Sequence, residues 1–124
     1  MPVPLSAKDG YQPDAAAFAE RVTPRTKMVL LTHPNNPTGT VFSRGSLEAL
    51  CRVIVEHDLI LVCDQAFEDH IFDGRELVTP AALPGMWERT VTTFSISKGL
   101  GLGGLRVGYI AVSYTHLRCA NRNT

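Results

Sequence analysis

Apolar residues along the chain gather in short runs that polar, glycine and proline residues separate. Residues 27–32 and 59–63 are almost continuously apolar, which is typical of strands buried on both faces. Residues 90–94 are β-branched and aromatic and predict a third strand, and residues 106–112 predict a fourth. The pattern therefore indicates four strands of ordinary length.

Two segments follow the helical period instead. Asp14 is an acceptable N-cap for a short helix over residues 15–22, which places Phe18 and Val22 on one face. Ser43 can cap a second helix, whose apolar residues recur at helical spacing. These residues are Leu47, Leu50, Cys51 and Ile54.

The order of these elements predicts an α/β fold with a mostly parallel sheet. A parallel connection needs a crossover of about a dozen residues, usually a helix. The segment between Ser95 and Arg106 is too short for one. We therefore expect the last strand to run antiparallel to the third.

Composition narrows the classes of protein that fit. Acidic and basic residues balance at 12 each, which argues against a nucleic-acid or anionic-membrane partner. No apolar run reaches the ~20 residues of a membrane span, and the first residues do not resemble a signal peptide, so a cytoplasmic protein is expected. The three cysteines form no CxxC pair, which disfavours a disulfide framework or a structural zinc site.

Polar residues that could bind a ligand or take part in a reaction follow three of the predicted strands. In open α/β sheets the carboxyl ends of parallel strands form the usual ligand-binding edge. An amide, a carboxylate, two hydroxyls, an amine and a guanidinium would meet there, a set that suits a ligand with an anionic group, a basic ring nitrogen and an electrophilic carbonyl. These groups belong to Asn36, Asp64, Ser95, Ser97, Lys98 and Arg106.

Three motifs resemble those of class I/II (fold-type I) aminotransferases, which depend on pyridoxal phosphate. Residues 33–39 (HPNNPTG) resemble the family's (N/S)PNNPTG loop, and residues 64–67 (DQAF) resemble its DEAY segment. Residues 95–109 (SISKGLGLGGLRVGY) are similar to its SxSK(x5)GxRxGY signature. The resemblance identifies residues 1–112 as part of the large cofactor domain, while residues 113–124 do not resemble the family and are expected to be unstructured.

The resemblance implies a role for each candidate residue. Lys98 would form the Schiff base with the cofactor aldehyde and then move the substrate proton. Asp64 would pair with the pyridine nitrogen and keep it protonated, and Asn36 would donate to the ring hydroxyl oxygen. The phosphate would be held by Ser95, Ser97 and Arg106.

Several positions, among them Phe67, Gln65 and His33, depart from the family pattern. Phe67 stands where the family usually has a tyrosine that hydrogen-bonds the ring oxygen, a loss of about 1 kcal/mol. We interpret Phe67 as a core residue. His33 is also unusual before Pro34, and the sequence assigns it no role.

The implied function is amino transfer between an amino acid and a 2-oxo acid, with a homodimer expected for the full-length parent. The family is about three times longer than this chain, so we expect an internal fragment that folds poorly and is inactive alone. Two alternatives stay open, namely a pyridoxal-phosphate-dependent carbon–sulfur lyase and a non-catalytic aminotransferase-like module of a transcription regulator.

Three other kinds of site are rejected on the sequence. Residues 99–104 match GxGxxG, but a strand follows where a dinucleotide fold needs a helix. A hydrolase triad of Ser95, His33 and Asp64 lacks the GxSxG elbow. A metal site would need ligand spacing that the histidines, cysteines and Asp64 do not show.

Overall fold

The structure, a computed structural model, describes residues 1–114. It contains four strands and three α-helices, joined by loops and short 3-10 turns. The strands are β1 (Met28–Thr32), β2 (Ile60–Asp64), β3 (Thr90–Ser95) and β4 (Gly108–Val112), and the helices are α1 (Ala15–Ala19), α2 (Arg44–Glu56) and α3 (Ile96–Gly99). Within this described part, no helix has the length and apolar character needed to cross a bilayer. The sequence predicted an unstructured tail over residues 113–124, and residues 115–124 of that tail lie outside the described residues.

The four strands form one sheet in chain order, β1-β2-β3-β4. The pairs β1–β2 and β2–β3 are parallel, whereas β4 runs antiparallel to β3. The predicted α/β class and the antiparallel last strand are therefore confirmed. Only the four-residue helix α3 and one 3-10 turn lie between β3 and β4. This link is too short for the crossover that a parallel connection needs.

Helix α2 covers one face of the sheet and forms most of the core. It begins where predicted, because the Ser43 hydroxyl oxygen accepts a hydrogen bond from the Ser46 amide at 3.1 Å. Its apolar stripe is buried against Leu61, Cys63 and Met86, which have no exposed surface. Packing of that stripe onto alternate residues of β2 fixes the orientation of the whole sheet.

The opposite face of the sheet, here called the open face, carries the exposed side chains Met28, Leu30, Ile60 and Ile110. Leu30 is 71 % exposed, whereas its neighbour Leu31 is 6 % exposed. This alternation follows from the pleat, which points successive side chains to opposite faces. The sequence predicted that the strands are buried on both faces. In the part of the chain that the structure describes, β1 is buried on one face only.

Two element boundaries differ from the sequence-based expectation by more than one residue. Helix α1 ends at Ala19 and not at residue 22, although Phe18 and Val22 both pack against the core as expected. Strand β4 begins at Gly108 and not at Arg106, because Arg106 adopts the left-handed conformation with φ 53° and cannot continue a strand.

Candidate active site

The carboxyl ends of β1, β2 and β3 lie side by side at one edge of the sheet, here called the carboxyl edge. The register pairs Thr32 with Asp64 and Asp64 with Thr93, so β1, β2 and β3 are level there. Ser95 ends β3 and pairs with Gly108 of β4. The structure thus brings the backbone of the predicted site residues to a common edge, as their positions after the strands indicated.

Asp64 is the last residue of β2, and its half-buried side chain is on the same face of the sheet as Leu30. One carboxylate oxygen, Oδ1, accepts a hydrogen bond from the Ala66 amide at 3.0 Å. Among residues 1–114 no group donates to the other oxygen, Oδ2. This carboxylate is therefore fixed in direction and retains a free acceptor.

A turn follows Asp64 and is closed by backbone hydrogen bonds. The amide of Glu68 donates to the Gln65 carbonyl at 3.0 Å, and the amide of His70 donates to the Phe67 carbonyl at 2.9 Å. Residues 64–70, here called the Asp64 turn, thereby connect the carboxylate rigidly to the aromatic ring of Phe67.

Ser95 caps helix α3, since its hydroxyl oxygen accepts a hydrogen bond from the Ser97 amide at 3.2 Å. Lys98 lies one residue further along this four-residue helix and is exposed. Its Nζ lies 5.5 Å from the centroid of the Phe67 ring. The interpretation of Phe67 as a core residue was wrong, because the side chain is only half-buried and faces Lys98 from the turn after β2.

A second contact joins the Asp64 turn to α3. The Asp69 carboxyl group lies directly against Gly99, and a Cβ at that position would come 2.8 Å from the Asp69 carboxyl carbon. Only a residue without a side chain fits there while Asp69 keeps its place. No pattern in the sequence had indicated this contact.

Asn36 lies in the loop after β1 and is exposed. The loop is closed by its own backbone, with the Asn35 amide donating to Thr40 at 2.9 Å and the Gly39 amide donating to Asn35 at 2.8 Å. The peptide bonds before Pro34 and Pro37 are cis. Asn36 is thus presented to solvent at the turn of the loop, next to the carboxyl edge.

His33 anchors this loop, a role that sequence reasoning missed. Its amide donates to the Asp64 carbonyl at 2.9 Å, and its Nδ1 accepts from the Phe42 amide at 3.3 Å. The imidazole is fully buried and stacks on the Phe42 ring, with centroids 5.1 Å apart. Burial lowers the pKa of His33 to about 4, opposed in part by the backbone of Val78, so the ring is neutral at pH 7.

Arg106 reaches the carboxyl edge through the loop before β4, two residues ahead of Gly108. Its guanidinium is exposed and donates to the Gly103 carbonyl at 3.1 Å. It has no hydrogen bond to Ser95 or Ser97. The loop therefore brings the residue to the predicted region but directs the guanidinium to its own backbone.

The groups at the carboxyl edge offer a carboxylate acceptor, an amine, two hydroxyls and a guanidinium. Together they could engage a basic ring nitrogen, a carbonyl and a phosphate. Two open grooves lie away from this edge, one of about 640 Å³ between α2 and Pro84 and another of about 500 Å³ beside α1 and β1. Within residues 1–114 no three His, Cys, Asp or Glu side chains cluster as metal ligands.

Comparison with known protein families gives a match over nearly the whole chain. The family model for aminotransferase class I and II matches residues 1–123. Kynurenine–oxoglutarate transaminase 1 of Rattus norvegicus is 38 % identical over 123 residues, which are 97 % of this chain and 29 % of that protein. Arginine–pyruvate transaminase of Pseudomonas aeruginosa is 40 % identical over 110 residues, 89 % of this chain and 28 % of that protein.

Comparison with solved structures also gives matches to aminotransferases. An aspartate aminotransferase from Thermus thermophilus with maleate has a TM-score of 0.86 and 34 % identity, covering 94 % of this chain and 30 % of that one. An aromatic aminotransferase from Pyrococcus horikoshii also has a TM-score of 0.86 and 34 % identity, covering 89 % and 29 % of the two chains. The chain spans under a third of the length of the relatives that it matches.

Proposed function

The chain belongs to the aminotransferase class I and II family, and on that premise we propose that the protein transfers an amino group between an amino acid and a 2-oxo acid. The observation that carries the proposal is that Asp64 ends β2 while Lys98 lies in α3, the helix that directly follows the neighbouring strand β3. The relatives described above are named as transaminases, which favours this reaction over the lyase and regulator alternatives. Because those names differ in the amino donor, the proposal is for the reaction class.

The cofactor that we propose is pyridoxal 5'-phosphate, the cofactor expected for this family. When bound, it supplies an aldehyde that an amine can attack and a protonated ring that withdraws electrons from the substrate. The donor set at the carboxyl edge fits these groups, because the free Oδ2 of Asp64 can accept from a ring N–H. Lys98 offers an exposed amine for the aldehyde.

Lys98 would hold the cofactor through its amine and, once displaced by the substrate, would act as the general base that takes the substrate proton. Asp64 would hold the proton on the ring nitrogen. Removing one partner of a buried ion pair typically costs about 3–5 kcal/mol, so Asp64→Ala should weaken both binding and turnover strongly.

The phosphate would be held by Ser95, Ser97 and Arg106, and Asn36 would donate to the ring hydroxyl oxygen. Arg106 would exchange its hydrogen bond to Gly103 for the phosphate. The exchange is favourable because a guanidinium binds phosphate through two parallel charge-assisted hydrogen bonds. Its exposure in this structure means that no buried contact has to break.

Trapping of the lysine tests the proposal directly. The protein is incubated with pyridoxal phosphate, reduced with borohydride and digested, and the modified peptide is identified by mass spectrometry. We expect the label on Lys98, its loss in Lys98→Ala and its retention in Lys27→Ala, which removes another exposed lysine. Label spread equally over the lysines would refute the cofactor role.

Turnover completes the test. Candidate donors are kynurenine, arginine and aspartate, taken from the names of the relatives, with 2-oxoglutarate and pyruvate as acceptors. For the full-length parent, we expect at least one pair to react and Lys98→Ala to be inactive. A homodimeric parent, a cytoplasmic location and the lack of a nucleic-acid partner belong to the same proposal, and sedimentation of the protein would test the dimer.

A further inference from the structure

We propose that Phe67 is a positioning residue for Lys98, whose ring face holds the amine at the carboxyl edge before any cofactor arrives. The inference rests on the proposed function, since it assigns Phe67 a part in loading the cofactor onto Lys98. The starting observation is the 5.5 Å distance between Lys98 Nζ and the centroid of the Phe67 ring. That distance lies within the range of cation–π attraction, which extends to about 6 Å.

The contact matters because nothing else in the described chain fixes the amine. Lys98 is exposed, and its side chain has neither an ion pair nor a hydrogen bond among residues 1–114. A free lysine samples many rotamers, and restricting it costs side-chain entropy. Among the described residues, the Phe67 ring is the group that favours one of these rotamers, through its contact with the amine.

The ring itself is held in place. The backbone of the Asp64 turn fixes the start of the Phe67 side chain, and the His70 ring packs edge-on against it with centroids 5.8 Å apart. The Asp69 carboxyl group also lies against Gly99, so the turn and α3 are in contact at a second point. Two successive residues of α3 therefore contact the Asp64 turn, Lys98 through its amine and Gly99 through its backbone.

This arrangement separates two roles that a tyrosine at position 67 would combine. A phenyl ring offers its face to the amine but has no hydroxyl to give to a ligand. Phe67 would therefore act on Lys98 alone, by keeping the amine at the carboxyl edge, and would make no polar contact with the cofactor ring. Its effect should appear in the rate of cofactor loading and in the position of the lysine side chain without cofactor.

The first test needs no cofactor. Reductive methylation of the full-length parent with ¹³C-formaldehyde labels its amines, among them Lys8, Lys27 and Lys98, and keeps their positive charge. The ring current of Phe67 should shift the Lys98 methyl resonance away from those of the other amines, with Lys98→Arg providing the assignment. We expect the shift to vanish in Phe67→Leu and to persist in Phe67→Tyr, which keeps the ring face.

The second test measures the rate at which pyridoxal phosphate attaches to Lys98, followed by borohydride trapping. The ring face holds the protonated amine, and this amine must lose its proton and leave the ring before it attacks an aldehyde. Loss of a cation–π contact at an exposed site should therefore speed attachment by about two- to five-fold in Phe67→Leu. Phe67→Tyr should restore the wild-type rate. Phe72→Leu is the matched control, since Phe72 is 70 % exposed in the same connection and should leave both rate and resonance unchanged.

The outcomes distinguish this inference from the proposed function. Attachment to Lys98 at the same rate in wild type and Phe67→Leu, with an unshifted Lys98 resonance in both, would overturn the role of Phe67 and leave the cofactor role standing. Failure of Lys98 to take the cofactor in the wild type would refute the proposed function, whereas the resonance shift would still report whether the ring holds the amine.

Discussion

Acidification should destabilise the protein through His33. The imidazole is fully buried, and burial lowers its pKa from 6.5 to about 4. Between these two values the unfolded chain binds a proton that the folded chain does not, so the free energy of unfolding falls as the pH drops. Stability is highest above about pH 6.5, and the loss is complete near pH 4.

The magnitude follows from the size of the pKa change. One pKa unit corresponds to about 1.4 kcal/mol, so the full loss through His33 is roughly 3 kcal/mol, of which about 2 kcal/mol is reached by about pH 5. Protonation would also remove the acceptor at Nδ1 that receives the Phe42 amide. The loop carrying Asn36 should then loosen first, because His33 anchors it to β2.

Urea unfolding of the full-length parent between about pH 4.5 and pH 7.5, followed by circular dichroism, measures this effect. His33→Asn removes the titration while its side-chain oxygen can still accept from Phe42. The variant should be less stable at neutral pH but lose less stability on acidification, by roughly 2 kcal/mol at about pH 5. His57→Asn, at an exposed histidine, controls for the substitution. Equal pH slopes in wild type and His33→Asn would refute the reasoning.

Four further outcomes are expected, the first three for the full-length parent and the last for the isolated chain. Leu61→Ala, at a position with no exposed surface, should lower the free energy of unfolding by about 2–5 kcal/mol in urea titrations. Gly108→Ala would put a Cβ 2.6 Å from the carbonyl oxygen across the ladder and should cost roughly 1–3 kcal/mol, whereas Gly104→Ala has open space and should cost less. Cys51 and Cys63 should resist thiol reagents at about pH 8 until the protein unfolds, because burial raises their pKa values to about 11 and about 12. The 124-residue chain alone should bind a hydrophobic dye and aggregate through the open face, and a cooperative thermal transition from a soluble monomer would contradict this.

Local patterns determined the elements of this fold. The apolar runs gave four strands in their observed order, and Ser43 marked the start of α2. The short link between β3 and β4 determined the antiparallel pairing, because chain length limits which connections are possible. The first and last residues of the elements were predicted less well, as α1 and β4 show. A single residue in a left-handed backbone conformation, such as Arg106, ends a strand whatever the strand propensity of its neighbours.

The candidate site was predictable as a set of residues at one edge but not as a set of contacts. Parallel strands place their carboxyl ends together, so Asp64 and Lys98 could be assigned to one edge from their positions after the strands. The direction of each side chain depends on contacts between distant segments. For this reason sequence reasoning missed the buried His33, the Asp69 carboxyl group against Gly99 and the approach of Phe67 to Lys98.

The sequence by itself determined which residues could do chemistry here and on which strands they lie, because periodicity and spacing are local properties of the chain. Tertiary structure alone decided which side of the sheet α2 covers, where the Phe67 ring points and that the His33 imidazole loses its proton. These are matters of packing and desolvation, and they depend on atoms that are far apart in the chain and close in space.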